Sequence, residues 1–285
     1  MAPPGGAARS DGAVTCSGAE AARYRRLERE WQDGVGHQLL DEPLARPGSA
    51  AVVVHQRARL VAALRTAPEG PIVEVGCGKG HFLDQLARAR GGAGGLLVGV
   101  DVSRAVERLP AQGFAGIKAD GEALPLRDAS VGAVVYDGAL HHVIDYPTAV
   151  REAVRVLVRG GLLLIHEPVT SWFSRLAHRL LDPIVFRKCV YESPIDIHFK
   201  HAFREKVILR VLREEGLAVE RVRTDFLAYP LTGCYASSPF ARNEKLMRRL
   251  LALEERLAAL PVAGAVLRQF AWRFTVAARK PRLGG

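Results

Sequence analysis

From Ile72 onward the chain alternates short, mostly apolar runs with amphipathic stretches, and most of the fold can be read from that alternation. The runs Ile72–Val75, Leu96–Val100, Gly116–Ala119, Ala133–Tyr136 and Leu162–His166 have strand length, and their continuous apolar character suits strands buried on both faces. Between them, segments 80–90, 102–110 and 146–158 repeat their apolar positions at helical spacing. A helix over 204–215, with Gly216 as its C-terminal cap, leads into a strand over 217–226, and Phe270–Ala278 is the last strand. The pattern predicts a doubly wound α/β sheet of seven strands, parallel, with helices on both faces.

The rest of the chain frames that sheet. Residues 1–18 are rich in Gly, Ala and Pro and are expected to be disordered. Two helices, around 19–32 and 50–66, are separated by the Pro43, Pro47 and Gly48 region, so that 19–69 precede a domain over 70–285. Two insertions interrupt the alternation, at 168–203 and 229–265. The first carries Trp172, Phe173, Phe186, Tyr191, Phe199 and Phe203 and is too long for a simple connection. The second holds an amphipathic helix with Leu246, Leu250, Leu253 and Leu257 on one side. Both are expected to fold over the strand ends as a cap around a largely apolar acceptor pocket.

Composition adds few constraints. With 48% hydrophobic and 25% charged residues the 285-residue chain resembles an ordinary globular protein. Cys16, Cys77, Cys189 and Cys234 are scattered and read as free thiols, and His198 and His201 lack companion ligands, so no metal is expected. Neither a signal peptide nor an apolar run of bilayer length is visible, which predicts a cytoplasmic protein without a transmembrane segment. The net charge of +10 suits nucleic acid, an anionic membrane surface or an acidic substrate. Its arginines are interleaved with glutamates, as in Arg25, Arg26, Glu28, Arg29 and Glu30, a pattern that reads as a solvated helix face. Peripheral membrane contact stays open, and the oligomeric state is unread.

The chemistry begins at Val73-Glu74-Val75-Gly76-Cys77-Gly78-Lys79-Gly80, a strand running into a glycine turn and then a helix. Glycines there let the backbone turn tightly and approach a ligand. The dinucleotide fingerprint needs its third glycine one place later, where His81 stands. Strand two ends in Asp101, where folds of this kind bind ribose hydroxyls; the other reading of Asp101 is an N-cap for the next helix. Further along come Ala119-Asp120-Gly121-Glu122-Ala123-Leu124-Pro125-Leu126, then Val134-Val135-Tyr136-Asp137-Gly138-Ala139-Leu140-His141-His142, then Arg151-Glu152-Ala153-Val154-Arg155-Val156-Leu157 and Gly160-Gly161. This ordered set resembles the class I S-adenosylmethionine-dependent methyltransferases, of the small-molecule subgroup that includes ubiquinone and menaquinone biosynthesis. The resemblance covers about residues 70–167 well and 204–228 and 268–281 loosely, and it departs from the family at Arg159, where proline is usual.

The resemblance implies a Rossmann-like fold and S-adenosylmethionine as cofactor. It implies that Glu74, Gly76 and Gly78 hold the methionine and ribose parts, Asp101 the ribose hydroxyls, and Asp120 with Gly121 the adenine; Cys77, Gly80, Val102 and Asp137 complete the expected cofactor site. Since the cofactor is already activated, transfer needs a fixed cofactor and an aligned acceptor, with proximity alone or with a base to deprotonate the acceptor. His141 and His166 are the candidate bases, because an ordinary imidazole titrates near neutrality. His142 is expected to point elsewhere if the local chain is extended. The expected activity is methyl transfer to an apolar or aromatic small molecule: a secondary metabolite, a quinone or a lipid-like compound. RNA or protein methylation and non-catalytic binding on the same fold are the alternatives. Nucleic acid is not the expected partner, because Tyr136-Asp137-Gly138-Ala139 stands where base-amine methyltransferases carry Asn/Asp-Pro-Pro-aromatic, and no RNA-binding module is visible.

Overall fold

The computed structural model describes residues 9–10, 13–14, 18–36, 44–91, 95–169, 171, 173, 176, 205–232 and 239–282. Most of the first 17 residues, nearly all of the insertion 168–203 with Trp172 and Phe199, and Cys16, Cys189, Cys234, His198 and His201 lie outside the described residues.

A seven-stranded sheet forms the centre: β1 (Ile72–Val75), β2 (Leu97–Asp101), β3 (Ala115–Lys118), β4 (Val131–Asp137), β5 (Leu157–Pro168), β6 (Ala218–Asp225) and β7 (Arg273–Arg279), in the order β3-β2-β1-β4-β5-β7-β6. The first five strands are parallel, as the alternation predicts. β7 is antiparallel to both β5 and β6, which corrects the wholly parallel sheet. The reason is connectivity. The segment between β6 and β7 leaves and returns at one end of the sheet, with Asp225 opposite Arg273, so β7 must run back.

Side-chain alternation sends successive residues to opposite faces. Val73, Val75, Val134, Tyr136, Leu163 and Ile165 pack against α4 (Tyr146–Val156) and α5 (Glu205–Glu214). Ile72, Ala133, Val135, Leu162 and Leu164 pack against α2 (Pro47–Leu64) and α3 (His81–Arg90). α1 (Gly18–Trp31) precedes α2, and α6 (Ala228–Thr232), α7 (Glu244–Ala259) and α8 (Pro261–Leu267) lie between β6 and β7. The helix expected over 102–110 is instead a pair of 3-10 turns, Arg104–Arg108 and Pro110–Gln112, because Pro110 interrupts the ladder.

α7 also corrects the expected stripe. Met247 and Leu251 are its buried apolar residues, packed with Val52, Tyr229 and Trp272, while Leu253 is 45% exposed. The helix is thus rotated by about one residue from the face its leucines suggest.

Strand order reverses between β1 and β4, and beyond the carboxyl ends of strands at such a switch point open α/β sheets bind ligands.

Candidate active site

β1 ends at Val75 and the chain turns through Gly76, at φ 75°, and Gly78, at φ 50°. A Cβ on Gly76 would come within 2.2 Å of the Ala139 Cβ, so the turn after β1 nests against the turn after β4. The turn is braced from β2: the Gly76 and Cys77 amides donate to the Val100 carbonyl at 2.7 and 3.1 Å, and the Gly78 amide donates to Asp101 Oδ2 at 2.8 Å. Asp101 Oδ1 accepts from the Ser103 amide at 2.9 Å and the Ser103 hydroxyl at 2.6 Å. An ionised carboxylate offers roughly four acceptor positions, so three bonds leave room for about one more donor. Ser103, not Asp101, caps the next helical turn.

Over this turn lies a cavity of about 330 Å³, within the usual range for ligand sites. Gly76, Gly78, Asp101, Val102, Asp120 and Gly121 line one side of it, and Gly138, Ala139, His141 and His142 another. The loop bearing Asp120 is held by α4, where Glu152 accepts from the Leu124 amide at 2.8 Å and Arg155 donates to the Leu124 and Leu126 carbonyls at 2.8 Å. This explains why the Arg-Glu pattern of α4 accompanies the Asp120 segment.

At the β5 end, Glu167 is fully buried and works in two directions. Its Oε1 accepts from the Ala139 and Leu140 amides at 2.8 and 2.7 Å, and its Oε2 lies 2.6 Å from His141 Nδ1. A carboxylate there favours the tautomer protonated at Nδ1, which puts the ring's lone pair on Nε2. His142 lines the same cavity with its ring centroid 4.0 Å from that of His141. The expectation that His142 points elsewhere fails because Leu140–His142 is a 3-10 turn, not a strand, and neighbours do not alternate.

Five of the expected site residues do not line the cavity: Glu74, Cys77, Gly80, Asp137 and His166. His166 is buried on the opposite sheet face, its Nδ1 2.8 Å from Thr275 Oγ1, and burial followed by the Arg273 charge pushes its pKa well below the ordinary range. It cannot serve as base for an acceptor in the cavity. Asp137 points to that same face and pairs with Arg57 Nε at 2.7 Å; burial raises its pKa, but the Arg57 charge and hydrogen bond together with His166 and Arg273 outweigh it, and the net shift is down. The Cys77 side chain packs with Leu83, Val106 and Leu109, and burial pushes its thiol pKa upward. Gly80 caps α3 beneath Leu109, where its missing Cβ makes room for packing.

The roof of the cavity is α1, and here the solvated-face reading is overturned for Arg25 and Glu28, while Arg29 stays half-exposed. Arg25 is ion-paired with Glu122, Arg29 lies 3.5 Å from Asp120, and Glu28, almost fully buried, lies 3.1 Å from His142 Nδ1. Trp31 stacks on His142 at 6.3 Å. Arg26 and Glu30, by contrast, face solvent and pair with each other. The i, i+3 and i+4 spacing of Arg25, Glu28 and Arg29 puts the three on one side of the helix, but it does not show what that side meets.

The arrangement suits a cationic nucleoside cofactor. Two carboxylates, Asp101 and Asp120, line the cavity where ribose and adenine donors would need acceptors. Glu74, one residue before the lining begins, alternates to the opposite face of β1, with Ile72, where it is buried with an unpartnered Oε2; burial raises its pKa against the pull of the Arg57 charge. A protein-family model described as a methyltransferase domain matches residues 73–165, from β1 into β5. These residues are a class I S-adenosylmethionine-dependent methyltransferase domain. The chain is 30% identical over 135 residues to a ubiquinone/menaquinone biosynthesis C-methyltransferase of Rhizobium etli, covering 44% of this chain and 50% of that protein. It is 37% identical over 120 residues to an uncharacterised transposon protein of Streptomyces fradiae, covering 39% and 33%. The chain thus spans half or less of the length of these curated relatives. The fold is shared with geranyl diphosphate C-methyltransferase of Streptomyces coelicolor A3(2), with a TM-score of 0.51 and 18% identity over 79% of this chain and 78% of the other.

Proposed function

We propose that the protein transfers a methyl group from S-adenosylmethionine to a small, largely apolar acceptor, with His141 as general base. The observation that carries this reading is the His141–Glu167 pair, 2.6 Å apart, on the same cavity as Asp101 and Asp120. When bound, the cofactor supplies a sulfonium-activated methyl group and leaves as a neutral thioether. Asp101 would accept from a ribose hydroxyl, and Asp120 would accept from the adenine amine in competition with Arg29. Gly76 and Gly78 bring the backbone close, and Val102 and Gly121 supply apolar and backbone contact. His141 Nε2 takes the acceptor's proton, and Glu167 stabilises the imidazolium that results. Trp31, Val143 and Ile144 give the cavity an apolar wall, which suits an apolar acceptor. The Rhizobium etli relative, named for C-methylation in quinone biosynthesis, agrees with that class.

The test is to incubate the protein with methyl-labelled cofactor and a cell extract, then separate small molecules, RNA and protein. Label is expected among the apolar small molecules and should fall sharply with His141→Gln. Label confined to RNA or protein would contradict the acceptor class.

A further inference from the structure

We propose that the outward face of α7 and α8 is a docking surface for an anionic lipid bilayer. This inference is independent of the acceptor and of His141. Its starting point is an apolar stripe the core does not use. Since Met247 and Leu251 take the core side of α7, Leu253 is left 45% and Leu260 54% exposed, and α8 adds Val262 at 79% and Val266 at 54%. α8 is held against the end of α7, because a Cβ on Gly264 would approach the Ala258 carbonyl to 2.8 Å. The four exposed residues therefore share one end of the molecule.

The charge around them is basic. Arg249, Leu253, Arg256 and Leu260 follow one another at i, i+4, i+7 and i+11, a single line along the helix, with Lys245 and Arg248 beside it. All four of those basic residues are exposed. On that face, among the described residues, Glu244 is the exposed acid, and it is paired with Arg248 at 2.7 Å. Glu255 belongs to the inner side, where it meets His55, Arg59 and Arg223.

Two kinds of partner could cover an apolar stripe of this spacing. Leu253, Leu257 and Leu260 lie four and three residues apart, as in a helix–helix seam, whereas Leu246 and Leu250 are already packed against the core. In a pairing with a second copy, however, Arg249 and Arg256 of each chain would flank the seam with like charge. An anionic bilayer meets both features at once, with acyl chains for the leucines and valines and headgroup phosphates for the arginines and lysine. The contact is peripheral, since no helix among the described residues is long and apolar enough to cross a membrane.

The experiment is sedimentation of the full chain with vesicles of phosphatidylglycerol and phosphatidylcholine, against vesicles of phosphatidylcholine alone. The protein should pellet with the anionic vesicles and stay in solution with the neutral ones. Each basic residue near such a surface contributes about a factor of five, so Arg249→Ala/Arg256→Ala should weaken partitioning by roughly 25-fold. Leu253→Ser/Val262→Ser should weaken it by about tenfold or more, since it removes the inserted groups. Unchanged melting temperatures would show that both variants remain folded. Failure of the wild type to pellet with anionic vesicles overturns the proposal, as does pelleting that neither pair of substitutions diminishes. So does concentration-dependent self-association abolished by Leu253→Ser/Val262→Ser, which would assign the face to a second copy.

Discussion

Glu167 is one residue away from His166, yet the two side chains serve opposite faces of β5. Glu167 aims toward the cavity and holds His141, while His166 lies beneath the sheet against Thr275. Replacing Glu167 by Gln should keep its amide contacts while removing the charge that stabilises the imidazolium, lowering kcat by roughly 10²–10⁴-fold with little change in cofactor affinity. His166→Asn should leave turnover within a few-fold, and steady-state kinetics on both variants would expose a reversed assignment. The sequence contains both candidates at the right strand end, but nothing in it sets the phase of strand alternation relative to the cavity. The same ambiguity placed Asp137 in the site when it faces Arg57. Gly76, Gly78 and Gly80 all take the positive φ that the turn demands, and what the sequence did not reveal is that Gly80 faces Leu109 and not the cavity.

At the scale of elements, α1 matters most. Its inner arginines reach Glu122 and Asp120, and Glu28 and Trp31 meet His142, so a cofactor held in this cavity as proposed would exchange only when this helix loosens. Arg25→Ala/Arg29→Ala should speed cofactor release about tenfold, whereas the exposed pair Arg26→Ala/Glu30→Ala should not change it; stopped-flow displacement measures both. Equal behaviour of the two doubles would mean that α1 is not a roof. That role could not be read from α1 alone, because its mixed charge is also what a solvated helix shows. Only the positions of Asp120 and Glu122 in space reveal that one side of it has partners. The stripe on α7 misled for a related reason: Met247 and Glu254 occupy buried positions that a leucine pattern does not anticipate.

For the whole molecule, the central strands β1, β2, β4 and β5 were legible because each is a largely continuous apolar run, whereas the reversal of β7 escaped, since its direction depends on where the preceding segment returns, and so did the short antiparallel pair Arg9–Ser10 and Ala13–Val14 in the stretch expected to be disordered. The opposite sheet face carries a buried ionic cluster that shapes the stability profile. His166 is held neutral, with its pKa pushed well below 6.5 by burial and by Arg273. The unfolded chain takes up that proton as pH falls below 6.5, so the contribution of His166 is present above 6.5 and is lost on acidification. Asp137 acts at lower pH in the same sense: its depressed pKa gives stability above 3.8 that is lost below it. Glu74 and Glu254, raised by burial, act oppositely and lose stability as pH rises above 4.5. The wild-type advantage over His166→Asn in urea unfolding should therefore shrink as pH falls below 6.5; an advantage independent of pH would show that His166 is not held neutral.

The claim on which the rest depends is that the cavity over Gly76, Asp101 and Asp120 is a cofactor site. Isothermal titration calorimetry tests it most directly. S-adenosylmethionine and its demethylated product should both bind at one site per chain, and NAD should not. Asp101→Asn should weaken binding by about tenfold to a hundredfold, as loss of a charged acceptor and of the brace on Gly78 requires. No heat of binding for S-adenosylmethionine, or full affinity in the Asp101→Asn protein, would contradict the account.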